Sequence, residues 1–177
     1  PQDTVQRYGR DGSRQVVTWR EIDPGSESVP LAFRDAGVYV ITSGLGGLGS
    51  LFARDIVARC VDAKVVLTGR SAPDDALRNR LQTLALPEGA VEYRQLELAD
   101  LEAVRACLAD VVETHGRING ILHCAGCLHD DFVVKKTIDA FLEVLKPKVS
   151  GTRHLDEASR DLELEFLALL SGGASMD

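Results

Sequence analysis

Val38-Tyr-Val-Ile-Thr-Ser-Gly-Leu-Gly-Gly-Leu-Gly-Ser50 decides the fold of this chain. A β-branched and aromatic strand, Val38 to Ile41, runs into glycines 44, 46, 47 and 49, and an apolar-periodic helix is expected from about Leu48 to Cys60. A strand that feeds a glycine turn and then a helix leaves backbone N–H groups free at the helix N-terminus, where a pyrophosphate can sit. Gly44, Gly46 and Gly49 satisfy G-x-G-x-x-G literally. The match gains weight from its context: a strand before it, a helix after it, and a second strand, Lys64-Val-Val-Leu-Thr68, at βαβ spacing. The alternative is a tight turn that binds nothing.

The end of the second strand bears on which dinucleotide is bound. An NAD site places an Asp or Glu about 20 residues past the glycines, on the ribose 2′-hydroxyl. Here the chain reads Thr68-Gly-Arg70-Ser71, with no acid before Asp74. A planar guanidinium can bind phosphate oxygens bidentately, and a serine adds a hydroxyl donor, so NADPH is expected over NADH. A solvated surface arginine is the alternative.

A chain of 177 residues suits one domain, or one domain with an appendage. Its 45% hydrophobic and 5% aromatic content describes an aliphatic core, and a net charge of −7 argues against a nucleic-acid-binding surface. No apolar run approaches the roughly 18 residues of a membrane span, and the Pro-Gln-Asp start is unlike a signal peptide. A cytoplasmic, soluble domain with neither membrane nor nucleic-acid partner is expected.

Cysteines stand at 60, 107, 124 and 127, and His123-Cys-Ala-Gly-Cys-Leu-His129 holds a C-x-x-C between two histidines. A structural zinc site generally needs two such pairs, and a thioredoxin-like motif sits at a helix N-terminus. This segment follows Ile118-Asn-Gly-Ile-Leu122 at the mouth of a strand. Small residues lining a cofactor crevice explain it better than a metal, and no metal is expected.

From Gly37 on, strands at about 38–42, 64–68, 91–96, 118–123 and 165–170 alternate with helices at about 48–60, 74–85, 100–115 and 137–159. Asp100 is placed to cap the third helix. This alternation predicts an α/β, Rossmann-like, doubly wound parallel sheet with right-handed crossovers and helices on both faces. Residues 1–36 read differently: Gln15-Val-Val-Thr-Trp19 suits a strand and Asp23-Pro-Gly-Ser-Glu-Ser-Val-Pro30 a linker.

Five segments together carry a family resemblance. They are Gly37-Val-Tyr-Val-Ile-Thr-Ser-Gly-Leu-Gly-Gly-Leu-Gly49, Val66-Leu-Thr-Gly-Arg-Ser71, His123-Cys-Ala-Gly-Cys-Leu-His-Asp130, Lys146-Pro-Lys-Val-Ser-Gly151 and Leu162-Glu-Leu-Glu-Phe166. In order and spacing the chain resembles the ketoreductase domains of modular polyketide synthases, within the short-chain dehydrogenase/reductase superfamily. The resemblance covers about residues 37 to 174. It divides the chain into a linker with a remnant of the family's structural subdomain, 1–36, and the N-terminal part of its NADPH-binding catalytic subdomain, 37–177. It implies that NADPH reduces the β-ketone of a polyketide intermediate held on an acyl carrier protein, with the rest of the domain and neighbouring synthase domains as partners. A tyrosine would give the proton, a serine a hydrogen bond, and a lysine would lower the tyrosine pKa.

Carried over by position, Lys148 matches the family lysine. Cofactor contacts are expected from Thr42, Gly44, Gly46, Gly47, Leu48, Gly49, Arg70, Ser71, Glu97, Leu98, His123, Ala125 and Gly126. Glu97 stands where the family usually has an Asp on adenine. A surface lysine and a plain strand-end acid are the respective alternatives for Lys148 and Glu97. Leu128-His129-Asp130 keeps the first and last residues of a Leu-Asp-Asp loop that family members making one alcohol configuration often carry; a solvated acid is the alternative.

Three departures from the pattern stand out. The family serine position, 24 residues beyond Lys148, is Gly172, so Ser171 is the candidate to take its part. Ser43 replaces the first glycine of the superfamily's T-G-x-x-x-G-x-G, so that its Cβ is expected to crowd the turn or the pyrophosphate unless Gly44 beside it relaxes the backbone. The tyrosine falls near position 185, after Asp177, so this chain is expected to lack it together with the C-terminal strands. Strand 165–170 would then present an unpaired apolar edge. Further sequence or a second polypeptide would complete the sheet. Two rival readings remain, a ketoreductase-like scaffold without catalysis and a short-chain enzyme acting on a free small molecule.

Overall fold

The computed structural model describes residues 6–16, 32–126, 135 and 137–170. These form two compact units, described separately. The first is an antiparallel hairpin of β1 (Gln6–Tyr8) and β2 (Arg14–Val16), turned at Gly12 with φ of 79°. The expected strand 15–19 is therefore present as β2 over its first residues. Its remainder, the linker around Pro24, the loop Leu128–Asp130, Cys127, Ser171 and Gly172 all lie outside the described residues.

The second unit, Ala32–Leu170, is a five-stranded sheet with helices on both faces. In chain order it contains β3 (Val38–Thr42), α1 (Gly47–Arg59), β4 (Lys64–Gly69), α2 (Asp75–Thr83), β5 (Val91–Gln95), α3 (Leu101–His115), β6 (Gly120–His123), α4 (Ile138–Ser159) and β7 (Phe166–Leu169). Every strand pair is parallel and the spatial order is β5-β4-β3-β6-β7. Each expected strand and helix from 38 onward forms, with ends displaced by a few residues, where helices and strands fray.

The winding follows from residue alternation along β3, whose five residues are all buried. Val38 and Val40 point to one face and join Val104, Leu108 and Val111 of α3 and Leu155 of α4. Tyr39 and Ile41 point to the other and join Ala53 and Ile56 of α1 with Val65 and Leu67 of β4. A strand that is apolar on both faces must be covered on both, which a parallel crossover topology supplies. Asp74, Asp100 and Thr137 cap α2, α3 and α4 through their side-chain oxygens. Gly116 ends α3 with φ of 81°. β7 pairs with β6 on one side, and among the described residues its other edge is unpaired; Leu169 is exposed there.

The descent from β3 into α1 depends on one close approach. A Cβ added at Gly49 would stand 2.7 Å from the Gly44 Cα and 2.8 Å from its carbonyl oxygen, so helix and turn meet backbone to backbone. At Gly47 a Cβ would meet nothing within 4 Å. Gly49→Ala is therefore expected to lower unfolding stability by about 1–3 kcal/mol, the scale of forced backbone displacement in a packed site. Gly47→Ala should cost nothing. Urea unfolding of both variants checks this, and equal stabilities would contradict the packing described.

Candidate nucleotide-binding site

Strand order reverses at β3: the chain proceeds from β3 outward to β4 and β5, then returns to β6 and β7 on the other side. Loops leaving the carboxyl ends of β3 and β6 therefore diverge, and a crevice opens between them, as ligand sites do in open α/β sheets. A crevice of about 490 Å³ lies there. Ser43 lines it from the end of β3, Thr68, Gly69 and Arg70 from β4, Leu96 to Ala99 from β5, and Ala125 and Gly126 from β6. Glu143, Lys146 and Pro147 of α4 complete the lining. The volume falls within the range of small-molecule and cofactor sites.

The glycine turn frames one end. Gly46 is the N-cap of α1 and offers no side-chain cap, unlike the residues before the other helices, so the first N–H groups of α1 keep their capacity for an anion. Ser43 has φ of 54°. Of the two alternatives, relaxation at Gly44 is not what the backbone shows: Ser43 itself adopts the left-handed conformation. Gly44 is held instead by its N–H to the Thr68 carbonyl and by Leu67, whose Cβ would lie 2.6 Å from an added Gly44 Cβ. A serine in that region carries about 1–2 kcal/mol of strain that glycine would not.

At the end of β4, the Arg70 carbonyl accepts from Gln95 Nε2 and the Ser71 carbonyl accepts from the Tyr93 hydroxyl. The backbone is thereby fixed, while the exposed Arg70 guanidinium has no hydrogen-bond or ion-pair partner among the described residues. The first acid beyond it, Asp74, accepts from Leu77 N and is committed to capping α2. Glu97 folds one carboxylate oxygen onto the Ala99 N–H at 3.0 Å.

Thr42 and His123 occupy a different position from the one their sequence implied. Neither lines the crevice; they are 0% and 1% exposed, and their polar atoms are used internally. The Ala125 N–H donates to Thr42 Oγ1 at 3.2 Å, and Thr42 Oγ1 lies 2.8 Å from His123 Nδ1. His123 Nε2 lies 2.9 Å from the Pro147 carbonyl. A carbonyl only accepts, so Nε2 carries the hydrogen, Nδ1 accepts, and the threonine hydroxyl donates. Burial pushes the His123 pKa down, and the nearby Lys148 charge acts the same way, so the ring is neutral at pH 7. These residues shape the crevice floor by tying β3, β6 and α4 together.

Lys148, one residue beyond that tie, donates its ammonium to the Leu170 carbonyl at the end of β7, and its chain passes beside Gly126. Of the other expected contacts, Arg70, Glu97, Leu98, Ala125 and Gly126 line the crevice, while Gly44, Gly46, Gly47, Leu48, Gly49 and Ser71 do not. Glu143, Lys146 and Pro147 were missed by sequence reasoning; the i, i+3, i+4 spacing of one helix face was the available signal. Cys60, Cys107 and Cys124 have thiols pushed up in pKa by burial, and among the described residues no three His, Cys, Asp or Glu side chains gather to hold a metal ion. No helix among them is long and apolar enough to cross a membrane.

Comparison with known proteins agrees with this geometry. The family model of the KR domain matches residues 37–176. Polyketide synthase PksL of Bacillus subtilis (strain 168) is 41% identical over 174 residues, covering 98% of this chain and 4% of that protein. Polyketide synthase ThaG of Burkholderia thailandensis is 42% identical over 174 residues, covering 96% of this chain and 3% of that protein. The crystal structure of a ketoreductase domain from the bacillaene assembly line superposes with a TM-score of 0.84 at 41% identity, over 96% of this chain and 40% of that one. The chain thus spans a small fraction of these synthases and less than half of that ketoreductase chain. The strand, glycine turn and reversed sheet order, together with these matches, place the chain in the ketoreductase (KR) domain family of polyketide synthases, within the short-chain dehydrogenase/reductase superfamily.

Proposed function

We propose that the crevice binds NADPH and that the domain reduces the β-keto group of an acyl-carrier-protein-bound polyketide intermediate to a hydroxyl, as part of a multidomain synthase in the cytosol. The observation that carries the reading is the end of β4, where the Arg70 guanidinium, without a partner among the described residues, stands on the crevice wall and the next acid along the chain, Asp74, is consumed as a helix cap. An NAD site would need that acid on a ribose hydroxyl.

The residues fit the nucleotide. The backbone contact of Gly49 with Gly44 and the uncapped start of α1 suit a pyrophosphate; Arg70 on the crevice wall, followed in the chain by Ser71, suits the 2′-phosphate; Glu97, Leu98 and Ala99 wall the adenosine end. When bound, NADPH supplies the hydride. Lys148 places a positive charge between β6 and β7, where it favours the ionised form of a neighbouring phenol and thus its use as an acid. Ser171, immediately beyond the carbonyl Lys148 holds, is the candidate hydroxyl donor to the developing alkoxide. Within this scheme residues 1–36 form the connector and structural-subdomain remnant, and 37–177 belong to the catalytic subdomain. A second reading, a ketoreductase-like scaffold without catalysis, draws on the strained Ser43 in the phosphate turn.

NADPH is expected to bind this chain more tightly than NADH. Arg70→Ala should narrow the difference by about 1.5–3 kcal/mol, the value of a hydrogen bond to a charged group. Calorimetric titration with both nucleotides checks this; equal affinities in the parent would refute the assignment.

A polypeptide of these 177 residues is expected to bind nucleotide without turning over. Tyr39 is buried with its hydroxyl accepting from Arg34 N, Tyr93 donates to the Ser71 carbonyl, and neither lines the crevice, while Tyr8 lies in the hairpin. Neither Tyr39 nor Tyr93 is thus placed as the acid. Mass-verified polypeptide incubated with NADPH and a β-ketothioester should show no loss of absorbance at about 340 nm. Oxidation of NADPH dependent on the thioester would overturn this reading of the site.

A further inference from the structure

His154 lies in the last turns of α4 and is 7% exposed, yet neither the glycine turn nor the lysine needs it. Its Nδ1 is 2.8 Å from the Leu98 carbonyl, and since a carbonyl only accepts, Nδ1 carries the hydrogen and donates. Leu98 sits at the centre of the Glu97–Ala99 wall of the crevice. The other hydrogen bonds within that wall are local. Asp100 N donates to the Glu97 carbonyl at 3.1 Å, and Ala99 N donates to the Glu97 carboxylate at 3.0 Å. The connection of Leu96 to the sheet, through the Gly69 carbonyl, ends before the wall begins. Among the described residues, the imidazole makes the hydrogen bond that joins this wall to another element.

One turn earlier on α4, Gly151 leaves room for the same residue. A Cβ there would lie 3.3 Å from Leu98 Cβ and 3.5 Å from His123 Cε1. The Leu98 side chain is itself buried in the core beside Leu155 and Val104. The wall is therefore seated on α4 by shape at Gly151 and by a directional bond at His154. Supporting hydrogen bonds together with packing are what hold the residues of a binding site in one geometry.

We propose that His154 is a positioning residue for the nucleotide crevice: its Nδ1–H holds the Leu98 carbonyl and so sets the Glu97–Ala99 wall against which the adenosine end of the nucleotide packs. This rests on the reading that the crevice takes NADPH. His154→Leu keeps bulk and removes the donor. His154→Asn keeps a donor, because the amide Nδ2 stands close to where the ring Nδ1 stood.

NADPH titration of the parent chain and variants by calorimetry, with urea unfolding to show that each is folded, tests the idea. His154→Leu is expected to weaken NADPH binding about tenfold or more, and His154→Asn to restore it to within about threefold of the parent. Gly151→Ala, which favours the helix while pressing on Leu98, should also weaken binding, and it provides the test if His154→Leu does not fold. Unchanged affinity in folded His154→Leu, or in Gly151→Ala, overturns the proposal, as does His154→Asn binding no better than His154→Leu. A parent chain that binds no NADPH refutes the nucleotide reading and the proposal built on it, an outcome distinct from binding that is indifferent to residue 154.

Discussion

The buried run from the Ala125 amide through Thr42 and His123 to the Pro147 carbonyl is the interaction on which the site depends. It sits at the point where strand order reverses, joining the ends of β3 and β6 to the middle of α4. Parallel strands at a switch point have no crossover helix between them at that end, so something must define how far apart their loops stand. Here a neutral imidazole does so. Each of its nitrogens has one fixed role, one accepting from a hydroxyl and one donating to a carbonyl. Protonation would add a charge in a buried place beside the Lys148 ammonium, and burial pushes the ring's pKa down.

Around that point the chain uses α4 as a template. Pro147, inside the helix, lends its carbonyl to His123, Lys148 reaches to the end of β7, Gly151 admits Leu98, and His154 holds the Leu98 carbonyl. Four residues of one helix therefore address β6, β7 and the loop after β5. The glycine turn across the crevice is built on the opposite principle, close backbone contact with no side chain between. Ser43 departs from it and holds a left-handed conformation that glycine would adopt without strain.

Much of the fold was legible in the sequence. β3 and α1 are adjacent in the chain, and their signals, an apolar run, glycines and helical periodicity, are local. Parallel winding followed from alternation of strands and helices, and the KR resemblance from segments whose spacing is preserved. Part of the crevice lining was legible too: Arg70, Glu97, Leu98 and the small residues 125 and 126 follow directly from strand ends visible in the sequence. The site was less legible where side chains decide. Thr42 and His123 looked like cofactor contacts because they flank the motifs, yet both are sequestered below the crevice. Glu143 and Lys146 drew no notice as lining residues, because a helix face shows its use only once its partner is in place.

By itself, then, the sequence determined the α/β class, the doubly wound order, the glycine turn between β3 and α1, and the family, because each rests on residues close in the chain or on their periodicity. Only the tertiary structure decided which polar groups face the crevice and which are spent holding it. Those assignments depend on pairs far apart in sequence: Thr42 with His123 at a separation of 81 residues, Leu98 with His154 at 56, His123 with Pro147 at 24. A hydrogen bond commits a donor only when a particular acceptor stands about 3 Å away, and no local pattern encodes that distance.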